Sequence, residues 1–338
     1  MVCSCGYLSG KFWNSIIKLT FFQVLDIIKC VYTFQERTIM DKKYAVFHID
    51  GGIGKHIAAT AVAKCIKNNH PDRELIVVCA WPSPFINLDF VDRVYKTGIT
   101  PYFYQDYVIG KDTLLFKHEP YFTTDHIHGE LSLVENWCKV YGLEYNGEKP
   151  TLVFNLREKQ LAHVLWNSDK PIMVMQTSGG LFHQEGAFAY KWTRDLPIGL
   201  MNKIVEEFKE YYNIFQVTRP GAPIGNGVVP VDKEYSVMEL MTLLLRSEKR
   251  VFIDSCMQHG AAALELPSTV LWVGTNPKIF GHDLHNNIVA NQKPEFKLPD
   301  SYLFNYNFDG ITHECPYKDE EEMFDADEVI SSIRRQGF

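Results

Sequence analysis

Residues 251–277 read VFIDSCMQHGAAALELPSTVLWVGTNP, and the order of apolar, polar and small residues in this run decides the fold. Val251-Phe252-Ile253 has the composition of a buried strand, and it stops at Asp254-Ser255. A helix of small residues from Gly260 follows beside His259, and Thr269 to Val273 is a second apolar strand. Strand, polar break, helix and strand make a βαβ unit, whose parallel strands lie in a sheet covered by helices. The first loop of such a unit opens at the carboxyl edge of the sheet, where open α/β sheets keep their ligands. A helix starting there presents unpaired N–H groups and the positive end of its dipole, so it can hold a diphosphate without metal. Alanines 261–263 leave room for close helix-to-sheet packing and close ligand approach. The same residues also suit an ordinary crossover, with Asp254 as N-cap and His259 as a satisfied core imidazole.

Composition bounds what surrounds this unit. The chain has 338 residues, 46% of them hydrophobic and 22% charged, which is enough for two globular domains and rules out a disordered chain. A net charge of −7 argues against a broad electrostatic grip on nucleic acid. Cysteines stand singly at 3, 5, 30, 65, 79, 138, 256 and 315, with no CxxC pair, a pattern of a reducing cytoplasm with no disulfide framework and no metal site.

Outward from the opening unit, strand, loop and helix recur. Tyr44 to Ile49 reads as a strand, Gly51-Gly52-Ile53-Gly54 as a tight loop, and Ile57 to Asn69 as a helix. Glu74 to Ala80 is the next strand, and the chain continues with a helix over 127–141, a short strand over 151–154 and a helix over 158–166. Residues 167–171, NSDKP, read as an interdomain linker and hinge. A second cycle follows: strand Ile172 to Gln176, helix 200–212, strand 214–218, and a helix entered through a capping box of Ser236 and Glu239.

The expected organisation is therefore α/β, with two Rossmann-like domains facing a cleft, over 40–166 and 171–315. A last segment, 316–338, carries a helix expected to return to the N-terminal domain. Residues 1–39 stand apart as an N-terminal extension. Phe12 to Phe34 is apolar and aromatic, but Lys18, Asp26 and Lys29 break it too often for a membrane span. An amphipathic helix lying on a membrane and an extra packed helix both fit, and Met40, just before the first strand, is the expected native start.

Several familiar sites are absent. Gly54-Lys55 lacks both the earlier glycine and the following Ser or Thr of a phosphate-binding loop, since those positions are Ile49 and His56. Gly-Gly-Ile-Gly does not give dinucleotide spacing, and no GxSxG elbow occurs. Two polar loops remain. Asp50 and His56 flank the first loop, and either can serve as a general base if the loop brings it within reach of a hydroxyl. Thr177, Ser178, Gly179 and Gly180 follow a strand and can wrap phosphate oxygens through backbone N–H groups.

The run DSCMQH, then GAAALELP and VGTNP, resembles the C-terminal signature of the heptosyltransferases, glycosyltransferase family 9. That signature is Asp-Ser-Gly-Pro-Met-His, then alanines and a Gly-Pro-Thr loop. Asp254, Ser255, His259, Gly274, Thr275 and Pro277 match it; Cys256, Met257 and Gln258 depart from it. LDFVDRVYKTG, HGELSLVENWCKVYGL and SVMELMTLLLRSEKRVFIDS are similar to other segments of the family, as is Cys315-Pro316 with the helix after it.

The resemblance implies a GT-B fold and inverting transfer of a hexose or heptose from a nucleotide-diphosphate sugar, without cofactor or metal. The acceptor is then a glycan or a glycolipid of the lipopolysaccharide kind. The setting is cytoplasmic, with peripheral contact at the inner membrane face. It makes Thr177, Ser178, Gly179, Asp254, Ser255, His259, Gly274 and Thr275 the donor wall, and Lys191, with Arg194 as a substitute, the cation offsetting the leaving diphosphate. Arg219 is a further cation of this region. Gly52, Gly54 and Lys55 form the acceptor-side loop. The family has an aspartate base directly after the glycine, where this chain has Lys55, so Asp50 or His56 becomes the expected base. A nucleotide-sugar-binding protein without transfer, a nucleotide-sugar epimerase and a transferase acting on a modified nucleic-acid base keep the same fold.

Overall fold

The computed structural model describes residues 42–179, 191–231, 235–291, 317–319 and 322–337. The expectations for residues 1–39 and Met40, for Gly180, for the Lys191 side chain and for Cys315-Pro316 lie outside the described residues.

Two parallel sheets organise the chain. The first is built from β1 (Lys43–Ile49), β2 (Glu74–Cys79), β3 (Arg93–Lys96) and β4 (Asp112–Phe116), in the order β3-β2-β1-β4. Helix α1 (Ile53–Asn69) links β1 to β2 and is buried along nearly its whole length. Its alanines explain how: Ala59, Val62 and Ile66 pack toward the sheet with Phe47, Leu75 and Val77, while Ile57 belongs to the core of the other half. Only a small-residue helix can be gripped from both sides at such close range. Four short helices follow, α2 (Ser83–Ile86), α3 (Phe103–Tyr107), α4 (Thr124–Ile127) and α5 (Leu133–Val140). The single helix expected over 127–141 is thus two, because Gly129 takes φ +64° and Ser132 starts α5 afresh, accepting the Glu135 N–H.

The second sheet has six parallel strands in the order β10-β9-β8-β5-β6-β7. These are β5 (Ile172–Gln176), β6 (Asn213–Val217), β7 (Val229–Val231), β8 (Ser247–Ile253), β9 (Thr269–Trp272) and β10 (Asn286–Val289). Side chains alternate between its two faces, as the strand period requires. Met173, Met175, Val251 and Ile253 enter one core with α7 (Ile198–Phe208), while Val174 and Phe252 enter another with α8 (Val237–Arg246). The Ser236–Glu239 capping box is formed at the start of α8. Helix α9 (Cys256–Ala263) follows β8 and lies against α1, so it joins the two halves.

Two boundaries differ from expectation. Residues 151–154 form no strand, and the helix after them, α6 (Leu156–Leu165), packs on α8 rather than on the first sheet. Leu152, Phe154, Ala162 and Trp166 enter the core of the second half, and the Trp166 indole donates to Thr242 Oγ1 at 2.9 Å. The chain therefore crosses between halves near Pro150, where the Thr151 N–H reaches Thr60 Oγ1 at 2.9 Å and the Leu152 N–H reaches Ala263 O at 3.4 Å. Residues 167–171 are no free hinge, because Asn213 Nδ2 ties Ser168 Oγ at 2.7 Å and Asp169 Oδ1 at 2.6 Å. The closing helix does not return to the first half. Beyond the short helix α10 (Pro277–Phe280), the last described helix is α11 (Ala326–Arg335), which buries Val329 and Ile333 against the second sheet. Lys249 Nζ donates to the carbonyls of Arg334 and Gln336 and fixes it there. Among the described residues no helix is long and apolar enough to cross a membrane.

Candidate functional site

Parallel strands set the site. α1 leaves the carboxyl end of β1, α9 leaves the carboxyl end of β8, and their first turns meet. A Cβ on Gly54 would stand 2.9 Å from His259 Cδ2 and 3.3 Å from Cys256 Cα, so glycine is what lets the two N-termini touch. Two positive dipole ends thus open on one seam between the halves.

The α9 side is braced from within. Ser255, not Asp254, is the N-cap residue, and its hydroxyl does not cap the helix. Gln176 does that work from the end of β5: its Oε1 accepts the Met257 N–H at 3.3 Å and its Nε2 donates to Ser255 Oγ at 3.0 Å. Asp254 is buried, and its Oδ2 accepts from Thr275 Oγ1 at 2.7 Å with Arg194 Nη2 3.6 Å away. The Gly274 N–H donates to Thr193 O at 2.8 Å, so the loop after β9 is fastened to the single 3-10 turn Lys191–Thr193. Asp254, Gly274, Thr275 and Arg194 therefore come together, with Arg194 as their half-exposed member.

His259 is differently placed from a ligand-binding imidazole. Gln258 Nε2 lies 3.0 Å from its Nε2, and His282 Nε2 lies 2.9 Å from its Nδ1. An amide N–H can only donate, so His259 accepts at Nε2 and donates from Nδ1 to His282. Neither nitrogen is left for a diphosphate. His285 extends the group, with Nε2 2.9 Å from Gln258 O. Burial pushes the His259 pKa down to about 3 and that of His285 to about 4, and it lowers His282 as well. The three rings are a neutral buried brace, of which the run at 251–277 contains only the first, since His282 lies 23 residues on.

Thr177, Ser178 and Gly179 do follow β5 to the same edge, where the two hydroxyls are committed within the wall. Thr177 Oγ1 accepts from Gln216 Nε2 at 2.8 Å, and Ser178 Oγ accepts the Arg219 N–H at 2.9 Å. Arg219 grips Gly179 O at 2.8 Å and Asp195 Oδ1 at 2.9 Å, closing the wall of a cavity of ≈ 100 Å³ lined also by Trp192, Pro223 and Met323. Gly179 packs on Ser255, where a Cβ would meet Oγ at 3.4 Å.

The α1 side is built otherwise. Its helix begins at Ile53, so the expected loop shrinks to Gly51-Gly52, and Gly52 provides no side-chain cap. His56 is fully buried, its Nδ1 2.8 Å from Gly52 O and its Nε2 without a partner, and burial lowers its pKa. Sealed from solvent, it cannot serve as the expected base. Asp50 is three-fifths exposed, 3.7 Å from His48 Nδ1. Lys55 is not a solvated first-turn residue either. Its ammonium pairs with Glu119 and stands 5.1 Å from the Tyr121 ring centroid and 5.3 Å from that of Trp137. Glu119 was outside the sequence reading, because it arrives on the loop after β4. Among the described residues no three His, Cys, Asp or Glu side chains gather as a metal site.

No family model matches the chain, and no curated protein matches it. Solved structures do. A family 9 glycosyl transferase from Veillonella parvula DSM 2008 superposes with a TM-score of 0.60 at 12% identity, over 87% of this chain and 97% of that one. E. coli ADP-heptose lps heptosyltransferase II gives 0.57 at 12% identity, over 86% and 99%. The iron-containing dodecameric glycosyltransferase TibC from enterotoxigenic E. coli H10407 gives 0.60 at 12% identity, over 88% and 77%. TibC has also been solved with ADP-D-β-D-heptose. At this identity the likeness speaks for the fold, and the chain has the GT-B α/β fold of these glycosyltransferase structures.

Proposed function

We propose that the protein is a glycosyltransferase that moves a sugar, a hexose or heptose, from a nucleoside-diphosphate donor to a hydroxyl of a glycan or glycolipid, with inversion. The observation that carries this reading is the meeting of two helix N-termini at Gly54 and Cys256, with the Arg194 guanidinium half-exposed beside Asp254. Such a seam favours an anion, and a departing diphosphate is an anion that grows as the glycosidic bond breaks. The α9 wall, with Ser255, Gly274 and Thr275, takes the donor, and the loop of Asp50, Gly52 and Lys55 faces the acceptor. Donor-bound TibC and the ADP-heptose enzyme of E. coli share the fold and support a nucleotide sugar as partner.

In the displacement, the acceptor oxygen attacks the anomeric carbon, the carbon–oxygen bond to the diphosphate breaks, and the nucleoside diphosphate departs with the electron pair. The acceptor proton must pass to a base on the α1 side. Because the halves are joined at the seam itself, positioning falls to packed helices rather than to a flexible hinge.

Incubating the full chain with ADP-, GDP- and UDP-sugars, and measuring binding and nucleoside-diphosphate release separately, tests the reading. One donor class should bind and turn over. Binding without release on any acceptor supports the binding-protein alternative, and no binding in any class ends the nucleotide-sugar reading.

A further inference from the structure

The first half holds a carboxylate in a way that no strand pattern announces. The register of β1 and β4 ends at Phe47 opposite Phe116, and Asp50 and Glu119 each lie three residues further along their own strands. Both acids thus leave the same carboxyl edge on adjacent strands. They are held very differently.

Asp50 is 61% exposed at its side chain, and its contact is His48 Nδ1 at 3.7 Å, too long for a hydrogen bond. Glu119 is 32% exposed, and its Oε2 is held by the Lys55 ammonium. Lys55 is itself fixed, with its side chain only 13% exposed and its charge over the rings of Tyr121 and Trp137. The Trp137 indole is in turn bound to His118 O at 3.1 Å and Tyr141 Oη at 2.9 Å. Among the described residues nothing donates to Glu119 Oε1. One oxygen is anchored and the other is open, on a carboxylate whose partner, Lys55, follows Gly54 in the first turn of α1.

We propose that Glu119 is the base that takes the acceptor proton, and that Lys55 is the positioning residue that orients it. This rests on the transferase reading above. The step balances as follows: the acceptor O–H bond breaks as its oxygen bonds the anomeric carbon, the proton goes to Glu119 Oε1, and the electron pair of the severed bond leaves on the nucleoside diphosphate. A lysine in the first turn of α1 is then no loss of function but the other half of an acid–base pair.

The test uses the full chain and the nucleotide sugar that the donor panel selects, with water standing in for the acceptor hydroxyl and nucleoside-diphosphate release as readout. Glu119→Gln should lower kcat by about 10²-fold or more, the size of a lost general base, with donor Kd and Tm close to those of the unmodified chain. Glu119→Asp should recover part of that loss. Lys55→Met should lower kcat with donor Kd and Tm held, and Lys55→Arg, which keeps the ion pair, should recover part of the loss, a pattern that an ion pair serving only to hold the loop would not produce. Asp50→Asn, in the acceptor-facing loop, should lose less than Glu119→Gln. The assignment is overturned if Glu119→Gln keeps its rate, or if Asp50→Asn alone shows the loss. If the unmodified chain binds no nucleotide sugar, the transferase reading falls and takes this one with it; turnover retained by Glu119→Gln sinks this one alone.

Discussion

The two loops that meet at the seam are made from the same local pattern and finished in opposite ways. Each follows a buried parallel strand and opens a helix of small residues, β1 into α1 and β8 into α9. Around α9 the polar groups are tied inward, Gln176 to Met257 and Ser255, Asp254 to Thr275, and His259 to Gln258 and His282. Around α1 the helix lacks a side-chain cap, and its titratable groups, Asp50 and the Lys55–Glu119 pair, stand at the edge. A wall that binds an anion gains from rigidity, since ordering costs are met on folding rather than on binding. An edge that moves protons needs accessible charge. On the proposed transferase reading, the difference between the loops is a division between holding and reacting.

The largest effect that separates them is acid stability. His259 and His285 have folded pKa values of about 3 and about 4, below the roughly 6.5 of an unfolded imidazole. As pH falls through that range the unfolded chain takes up protons that the folded one refuses, so stability is complete above about pH 6.5 and drains between there and pH 4. Each group contributes at most about 1.4 kcal/mol per pH unit. Buried His56 and His126, both lowered by desolvation, act in the same direction. Denaturant melts between pH 7 and 4.5 should show this slope, and His285→Gln, which retains a donor for Gln258 O, should make it shallower. An unchanged slope would mean that the imidazole brace is not the acid-sensitive part of the wall.

Next in size is the contact itself. Gly54→Val places carbon within 3.3 Å of the Cys256 backbone, which cannot rotate aside, and against the braced His259 ring. Overpacking of this kind costs about 1–3 kcal/mol, and it also pries apart the two N-termini, so donor affinity should fall together with stability. A lower Tm with unchanged donor affinity would break the claim that the seam is the anion site.

How much of this was legible in the sequence follows the range of the interactions. The βαβ unit at 251–277 and the Ser236–Glu239 box depend on neighbours within one turn or one strand, and the structure has them. Helix α1 starts earlier than its apolar period indicated because Gly54, Lys55 and His56 meet partners from elsewhere, Cys256, Glu119 and Phe85. Glu119 lies 64 residues from Lys55, and only the parallel pairing of β4 with β1 brings them together. The crossing near Pro150 was hidden for the same reason. NSDKP has linker composition, yet Trp166 and Thr242 bury the helix before it in the second half.

The smallest effect divides structure from binding within the α9 wall. Gln176 is buried and caps α9 through its amide oxygen, so Gln176→Ala should cost about 1 kcal/mol, as lost helix caps do. Gln176→Glu is more informative. The carboxylate still accepts the Met257 N–H, Ser255 can donate where it formerly accepted, and a negative charge at a helix N-terminus is favourable by about 0.3–1 kcal/mol. Stability should therefore be near that of the parent chain. The same charge would now occupy the field that a diphosphate uses, so donor affinity should fall about tenfold or more while Tm holds. Asp50→Glu, on the exposed edge across the seam, should change neither. If Gln176→Glu binds donor as tightly as the parent, the diphosphate does not sit on α9, and holding as well as reacting would belong to the α1 loop.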